Sequence, residues 1–490
     1  MALKNLDNYK ETLIDVENVI IGSGAGGSTT AFELLKKNKK SLILEEGPNP
    51  DSIDKSNIGK AIVRLYKNNG ATPMISFNGG PLIGYGQGSC VGGSTYVNAG
   101  YFSNTPEWIF EGWIKNKRTN ISYADFQKYY NEIKNEIKIS TEKVSPKDLD
   151  SQFIFERSNQ LNWSVEKCER FSDGLGEVNS KQNMNQTYHK KIHENNINII
   201  HDCEVIRIQT KGSIANMLTV KDKLNNKLKK IKFKNLFINC GPINTPHLLI
   251  KNKIIKYKKN KNNFEFHTNF KVIVKFKNKI NKNLSTNFNA NDPVSIFFLR
   301  EFEKEGVLLS SANSEIPYLL ATASHFNDKI KNDIYNSFEN YAMYVYQFQS
   351  KSYGQVKSFL GSPFVDYNYN KEDFTQIQHA MKRLTNFFLG ADAEFILFPV
   401  ENSLPVSNLN NSNDLINKLD IKKLHLVSVH GMSSLRSGPE SNTMTTTEGK
   451  IKNFSNIFVN DASILPGNTG ESPQASVMSF AKHNIQNIKL

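Results

Sequence analysis

The sequence predicts an α/β protein in which a Rossmann-like dinucleotide-binding domain is interleaved with an α+β domain built on an antiparallel sheet. Three observations carry this expectation. Between Val16 and Leu44 an apolar run, a glycine turn, a helical segment and a second apolar run follow one another. From Phe270 to Lys277 apolar and polar residues alternate. No Pro/Ser-rich stretch is long enough to mark a flexible junction, so the two units are expected to share the chain in alternating pieces.

Val16 to Ile21 reads as a strand, Ser28 to Lys37 as a helix and Ser41 to Leu44 as a second strand. Strand, glycine turn, helix, strand is the opening of a βαβ unit and places a parallel sheet at the start of the chain. Gly79 to Gly100 is too rich in glycine for regular structure and predicts a loop or a tight backbone approach. Further on, Phe270, Val272, Val274 and Phe276 alternate with Lys271, Ile273, Lys275 and Lys277, the period of two of a half-buried antiparallel strand. Val294 to Leu299 and Tyr341 to Phe348 are strand-like as well. Phe374, Ile377, Met381, Leu384 and Phe388 recur at helical spacing.

A chain of 490 residues has room for two or three domains with a sizeable core. Its hydrophobic share of 38% and charged share of 22% exclude a disordered or fibrous chain. The net charge of +14 comes from lysines scattered along most of the sequence. The densest run, Lys251 to Lys282, reads as solvated surface rather than as a basic face for an anionic substrate, a membrane surface or nucleic acid, and with no nucleic-acid motif beside it no nucleic-acid partner is expected. Cys90, Cys168, Cys203 and Cys240 lack metal-ligand or disulfide spacing, which predicts reduced thiols and no metal site. The N-terminus, MALKNLDNYKETLID, has no secretory apolar core, and no window approaches the ~18 apolar residues of a membrane span. A cytoplasmic protein is expected.

The turn Gly22-Ser23-Gly24-Ala25-Gly26-Gly27 lies between the first strand and the helix, where a pyrophosphate is bound in dinucleotide folds. Gly22 permits the tight turn, Gly24 lets the backbone approach the pyrophosphate, and Gly27 lets helix and strand pack closely. Glu45 ends the second strand near the spacing of about 20 residues expected for the carboxylate that holds an adenosine ribose, with Glu46 as the other candidate. These residues leave FAD and NAD both open.

Further stretches narrow the choice. VIIGSGAGGSTTAFELLKKNKKSLILEEGP from Val19, GQGSCVGGSTYVNAG from Gly86, CGPINTPHLL from Cys240, HGMSSLRSG from His430 and NIFVNDASILPGNTGESPQASVMSFA from Asn456 occur in that order. Over nearly its full length the sequence resembles the glucose-methanol-choline (GMC) oxidoreductases. The resemblance implies FAD rather than NAD. It implies a flavin domain assembled from residues 1–112, 196–262 and 416–490, with a substrate domain from 113–195 and 263–415. Gly92, Gly93, Ser94 and Asn98 would lie along the flavin with Pro473, Asp461 near the ribityl-pyrophosphate, and Val205 beside the adenine. Val97 stands where some members carry a histidine joined covalently to FAD, so the cofactor is expected to be bound non-covalently.

Oxidising an alcohol removes a hydride from carbon and a proton from oxygen, and an isoalloxazine accepts only the hydride. A neutral imidazole, titrating near 6.5, suits the proton. His430 matches the family's catalytic histidine, after a predicted strand His425 to Val429, whereas His379 and His483 read as solvated or structural. Family members usually place Asn or His before the proline of an NPxxT-like element. Here that residue is Ser472, whose hydroxyl can hydrogen-bond a substrate but cannot act as a base; Glu471 and Gln474 are the other groups able to fill the gap. The expected partner is a small-molecule alcohol or sugar, and the residues do not specify an electron acceptor. Redox-neutral lyase chemistry and a non-catalytic flavoprotein remain open on the same fold. Trp108, Trp113, Tyr341, Tyr344 and Tyr346 are expected in the core rather than against substrate. Ser180 to Ile192 resembles a segment of the long-chain-alcohol and sterol-type branch without naming a substrate.

Overall fold

Val19, Ile20 and Ile21 are all buried because their strand, Leu13–Ile21, sits in the middle of a sheet covered on both faces. The structure, a computed structural model, describes residues 3–141, 149–172, 181–256, 263–281, 287–289, 294–439 and 443–489. Across the sheet the parallel strands run Leu3–Lys4, Asn198–Ile200, Ser41–Leu44, Leu13–Ile21, Leu228–Ile238 and Ile457–Val459. Strands far apart in sequence thus meet in one sheet. On one face Ile20, Ile43 and Phe237 pack with Ala31 and Leu34 of helix Ala25–Lys36 and with Met478 and Ile485 of helix Gln474–Asn487. On the other, Val19, Ile21, Leu44 and Ile238 pack with Leu249 of helix Gly241–Lys251. Lys482, fully buried on the C-terminal helix, donates to Glu33 Oε1 at 2.9 Å and Glu136 Oε1 at 2.6 Å, joining three helices.

The second sheet is larger. Its order is Tyr353–Phe359, Ser362–Asn368, Thr72–Ile75, Ile83–Tyr85, Leu426–Ser428, Glu265–Phe276, Tyr341–Gln349, Val307–Ser311, Phe297–Leu299 and Val165–Lys167. Phe270, Val272, Val274 and Phe276 are buried against Ile377, Met381, Leu384 and Phe388 of helix Lys371–Leu389, the two periodicities read from sequence facing each other. The opposite face is not solvated. Asn269, Lys271, Val345, Gln347, Leu308 and Ser310 on that face line a cavity between the two sheets.

Segment boundaries are finer than chain order suggests. Helices Tyr123–Glu136 and Tyr188–Glu194, within 113–195, place Tyr130, Ile133 and Tyr188 on the parallel sheet. Among the described residues of that segment, Leu149–Gln160 and Val165–Lys167, with Leu161 and Trp163 between them, join the antiparallel side. Conversely, Thr72–Ile75, Ile83–Tyr85 and Leu426–Ser428 extend the antiparallel sheet from outside 263–415. Each sheet face must bury its apolar side chains, and any amphipathic segment within reach serves. The glycine-rich stretch Gly79 to Gly100 likewise holds a short strand, Ile83–Tyr85, and one helical turn, Ser94–Val97.

Trp113, Tyr341, Tyr344 and Tyr346 are core residues, whereas Trp108 is exposed. His379 is exposed on its helix. All four cysteines are free thiols. Among the described residues no helix is long and apolar enough to cross a membrane, and no group of ligating side chains could hold a metal. Residues 257–262 and 282 of the lysine run lie outside the described residues.

Candidate active site

A cavity of about 620 Å³ runs between the sheets, from the glycine turn at one end to the antiparallel sheet at the other. The turn is built by contact distances. Gly22 has φ 95°, and a Cβ there would lie 2.3 Å from the Asn239 carbonyl oxygen; a Cβ on Gly27 would lie 2.0 Å from the Gly22 oxygen. Both positions therefore demand glycine for packing. Gly24 is different: its Cβ would meet nothing nearer than Gly93 Cα at 3.8 Å, and the residue lines the cavity. Helix Ala25–Lys36 starts immediately after it, so its unpaired amides and positive dipole end face this space.

Glu45 lines the cavity beside the turn. Its Oε2 accepts from the Ser23 amide at 3.0 Å and the Ser23 hydroxyl at 2.7 Å, and its Oε1 accepts from the Gly47 amide at 2.9 Å. Three donors hold the carboxylate in place and leave one lone pair toward the cavity. Burial pushes its pKa up, against those donors. Glu46 pairs instead with Lys67. Asn239 also lines the cavity, and neither polar atom of its side chain has a partner among the described residues. A buried amide left unsatisfied marks a place where a polar ligand belongs.

Gly93, Ser94, Val97, Asn98, Val205, Asp461, Ser472 and Pro473 all line the same cavity. Gly92 and Gly27 stand behind its wall, and the Gly92 amide donates to Ser23 Oγ at 3.0 Å. Asn98 Nδ2 donates to Gln474 Oε1 at 2.6 Å, tying the loop to the C-terminal helix. Asp461 accepts from the Gly241 amide and the Thr245 hydroxyl on one oxygen and from the Ser463 amide and hydroxyl on the other. It organises two helix starts while facing the cavity.

Toward the antiparallel sheet, His430 lines the cavity just after strand Leu426–Ser428. Its Nδ1 lies 3.0 Å from Nδ1 of His267, a fully buried residue that the sequence reading passed over. Asn468 fixes the protons. Its Nδ2 donates to the Phe266 carbonyl at 3.1 Å and its Oδ1 accepts from the Gly470 amide at 3.1 Å, so Oδ1 is the atom facing His267 Nε2. His267 must then carry its proton on Nε2 and accept at Nδ1 from the Nδ1–H of His430. That leaves a lone pair on His430 Nε2, which has no protein partner among the described residues. Asn468 is itself anchored, its amide donating to Glu265 Oε2 at 2.8 Å while Arg118 pairs with Oε1 at 2.7 Å. Burial, with His267 beside it, holds His430 well below its ordinary pKa, and burial pushes His267 down to about 4. Both rings are neutral at physiological pH.

Ser472 lines the cavity with no hydrogen-bond partner for its hydroxyl among the described residues, whereas Glu471 is buried behind it and pairs with Arg300. Glu471 thus does not fill the gap left by the serine. Gln474 reaches the cavity but is engaged with Asn98. The sequence signal for Asn468 lay within the C-terminal block; His267 sits on a strand whose alternation gave no chemical hint.

The GMC oxidoreductase N-terminal domain model matches residues 16–286, and the C-terminal domain model matches 353–481. The chain belongs to the GMC oxidoreductase family. An uncharacterised GMC-type oxidoreductase of Sinorhizobium fredii is 22% identical, the match covering 96% of this chain and 94% of that protein. A long-chain-alcohol oxidase of Arabidopsis thaliana is 23% identical over 98% of this chain and 69% of its own length. Among solved GMC-like folds, formate oxidase of Aspergillus oryzae superposes with a TM-score of 0.75 at 12% identity, covering 96% of this chain and 98% of that one. Pyridoxine 4-oxidase of Mesorbium loti gives a TM-score of 0.69 at 14% identity with the same coverage. GMC membership implies FAD as the cofactor, and the open glycine turn and orphaned Asn239 amide fit a dinucleotide there.

Proposed function

We propose that this GMC oxidoreductase oxidises an alcohol, with His430 as the base, Ser472 orienting the substrate hydroxyl and FAD bound non-covalently. The observation that carries the reading is the unprotonated Nε2 of His430, whose tautomer is set through His267 by Asn468. The relatives named long-chain-alcohol oxidases support the same class of donor.

FAD, when bound, supplies a two-electron acceptor for the hydride of the carbinol carbon. The amides of the turn at Gly24 would hold its pyrophosphate, Glu45 its ribose through the remaining lone pair, and Val205 its adenine. Gly93, Ser94, Asn98 and Pro473 would bound the flavin, with Gly22, Gly27, Gly92 and Asp461 shaping the walls. Val97 offers no nucleophile for a covalent link. At the reacting end, His430 Nε2 takes the hydroxyl proton, and the resulting imidazolium keeps its Nδ1–H bonded to His267. Ser472 donates or accepts one hydrogen bond at the substrate oxygen without competing for the proton.

The test is an anaerobic absorbance titration of the purified flavoprotein with aliphatic alcohols, polyols, sugars and sterols. Bleaching of the oxidised flavin by one class, lost by about 10²- to 10⁴-fold in rate in His430→Ala with flavin content retained, is expected. Bound FAD that no alcohol bleaches would favour redox-neutral chemistry, and flavin released by denaturation would establish non-covalent binding.

A further inference from the structure

The strand Glu265–Phe276 presents His267, Asn269 and Lys271 on one face, since successive side chains alternate. His267 backs the base. Asn269 and Lys271 continue along the cavity wall, away from it. Asn269 is 5% exposed, and its Oδ1 has no partner among the described residues. Lys271 has no carboxylate within ion-pair distance among the described residues, although neighbouring Lys275, on the same strand, pairs with Asp333 at 2.7 Å. Burial alone lowers the Lys271 pKa, with no opposing anion. Directly opposite Lys271 in register is Val345, and Met343 and Leu308 line the same wall.

A desolvated ammonium without a counter-ion costs stability unless something brings the missing charge. Nothing in the fold requires a lysine at this place. Its backbone is satisfied by the sheet, and its apolar neighbours would pack a leucine or methionine. We propose that Lys271 binds an anionic group of the substrate, so that the physiological donor is a hydroxy monocarboxylate whose carboxylate pairs with Lys271 while its hydroxyl meets His430. One ammonium balances one negative charge, which favours a carboxylate over a phosphate dianion. Four residues of strand separate His267 from Lys271, about 13 Å at some 3.3 Å per residue, so acid and alcohol stand several carbons apart. The assignment deepens the alcohol-oxidation reading and rests on it for the reacting end only.

The test reads binding without turnover. The holoenzyme is titrated with hexanoate, hexanamide and hexyl phosphate, none of which carries an oxidisable alcohol, and affinity is read from the flavin difference spectrum and by calorimetry. Hexanoate is expected to bind about 10- to 100-fold more tightly than hexanamide, the range of a charge-assisted hydrogen bond. Lys271→Met and Lys271→Gln should abolish the difference, Lys271→Arg should keep it, and His430→Ala should leave it unchanged. In turnover, ω-hydroxyhexanoate should show a lower KM than hexanol in the wild type and Lys271→Arg, but not in Lys271→Met or Lys271→Gln. Equal affinity for acid and amide, tighter binding of hexyl phosphate than hexanoate, or a Lys271→Met protein that loses flavin while keeping the carboxylate preference would each overturn the proposal. If hexanoate binds through Lys271 yet no alcohol of either kind bleaches the flavin, the oxidation reading fails and the anion site stands.

Discussion

Replacing His267 with phenylalanine keeps an aromatic ring on the strand but deletes both nitrogens, so the His430 Nδ1–H loses the acceptor that now lies 3.0 Å away. Without that acceptor nothing selects the tautomer with its lone pair on Nε2. A buried donor left unpaired costs about 1–3 kcal/mol, which at about 1.36 kcal/mol per tenfold is a fall in kcat/KM of about 5- to 150-fold. The pH profile carries a second signature. Activity follows the neutral base, so kcat/KM rises with pH through the pKa of His430 and is flat above it. That limb lies well below the ordinary value because of burial first and His267 second. His267→Phe removes the second cause, and the limb moves to higher pH. Anaerobic stopped-flow bleaching across the acid range, with flavin content measured in parallel, reads both effects. A His267→Phe protein with wild-type rate and an unmoved limb would refute the tautomer argument, whereas a simple packing defect would lower the rate without shifting the limb.

Other outcomes follow from the same contacts. Gly24→Ala should leave the apoprotein's melting temperature unchanged, because its Cβ would meet nothing nearer than Gly93 Cα at 3.8 Å, but cut flavin content sharply. Gly27→Ala, driving a Cβ to 2.0 Å from the Gly22 oxygen, should destabilise the apoprotein as well, so equal melting of the two variants would argue against the cradle. Lys482→Met removes the buried ammonium shared by Glu33 and Glu136, which retain Lys36, and should cost about 1–3 kcal/mol in urea unfolding. His189 is held down to about 3 and His267 to about 4, in each case by burial first. Their unfolded values lie near 6.5, so the unfolded chain binds more protons in acid. The stability these rings lend is complete above about 6.5 and is lost as pH falls toward their folded values. Melting temperature should therefore drop steadily over that window, and a flat profile there would show that the rings open to solvent.

Much of this was legible before any coordinates. The strand at Ser41–Leu44, the helix stripe from Ile377 to Phe388 and the alternation from Phe270 to Phe276 follow from local apolar periodicity, which a chain carries in its own order of residues. The GMC family and its FAD followed from motif order. Gly24, Glu45, Ser472 and His430 were picked out by position in those motifs, and the fold brings all four to one cavity. What the one-dimensional pattern could not supply was which distant groups touch. His430 and His267 are 163 positions apart and Asn468 lies 201 positions from His267, so the proton arrangement exists only once two sheets close on each other. Lys271 illustrates the same limit. Alternation read it as the wet side of a half-buried strand, but the parallel-sheet domain covers that side and turns a solvated lysine into a cation in a cavity. Periodicity tells a residue's face, and only tertiary packing decides what that face meets.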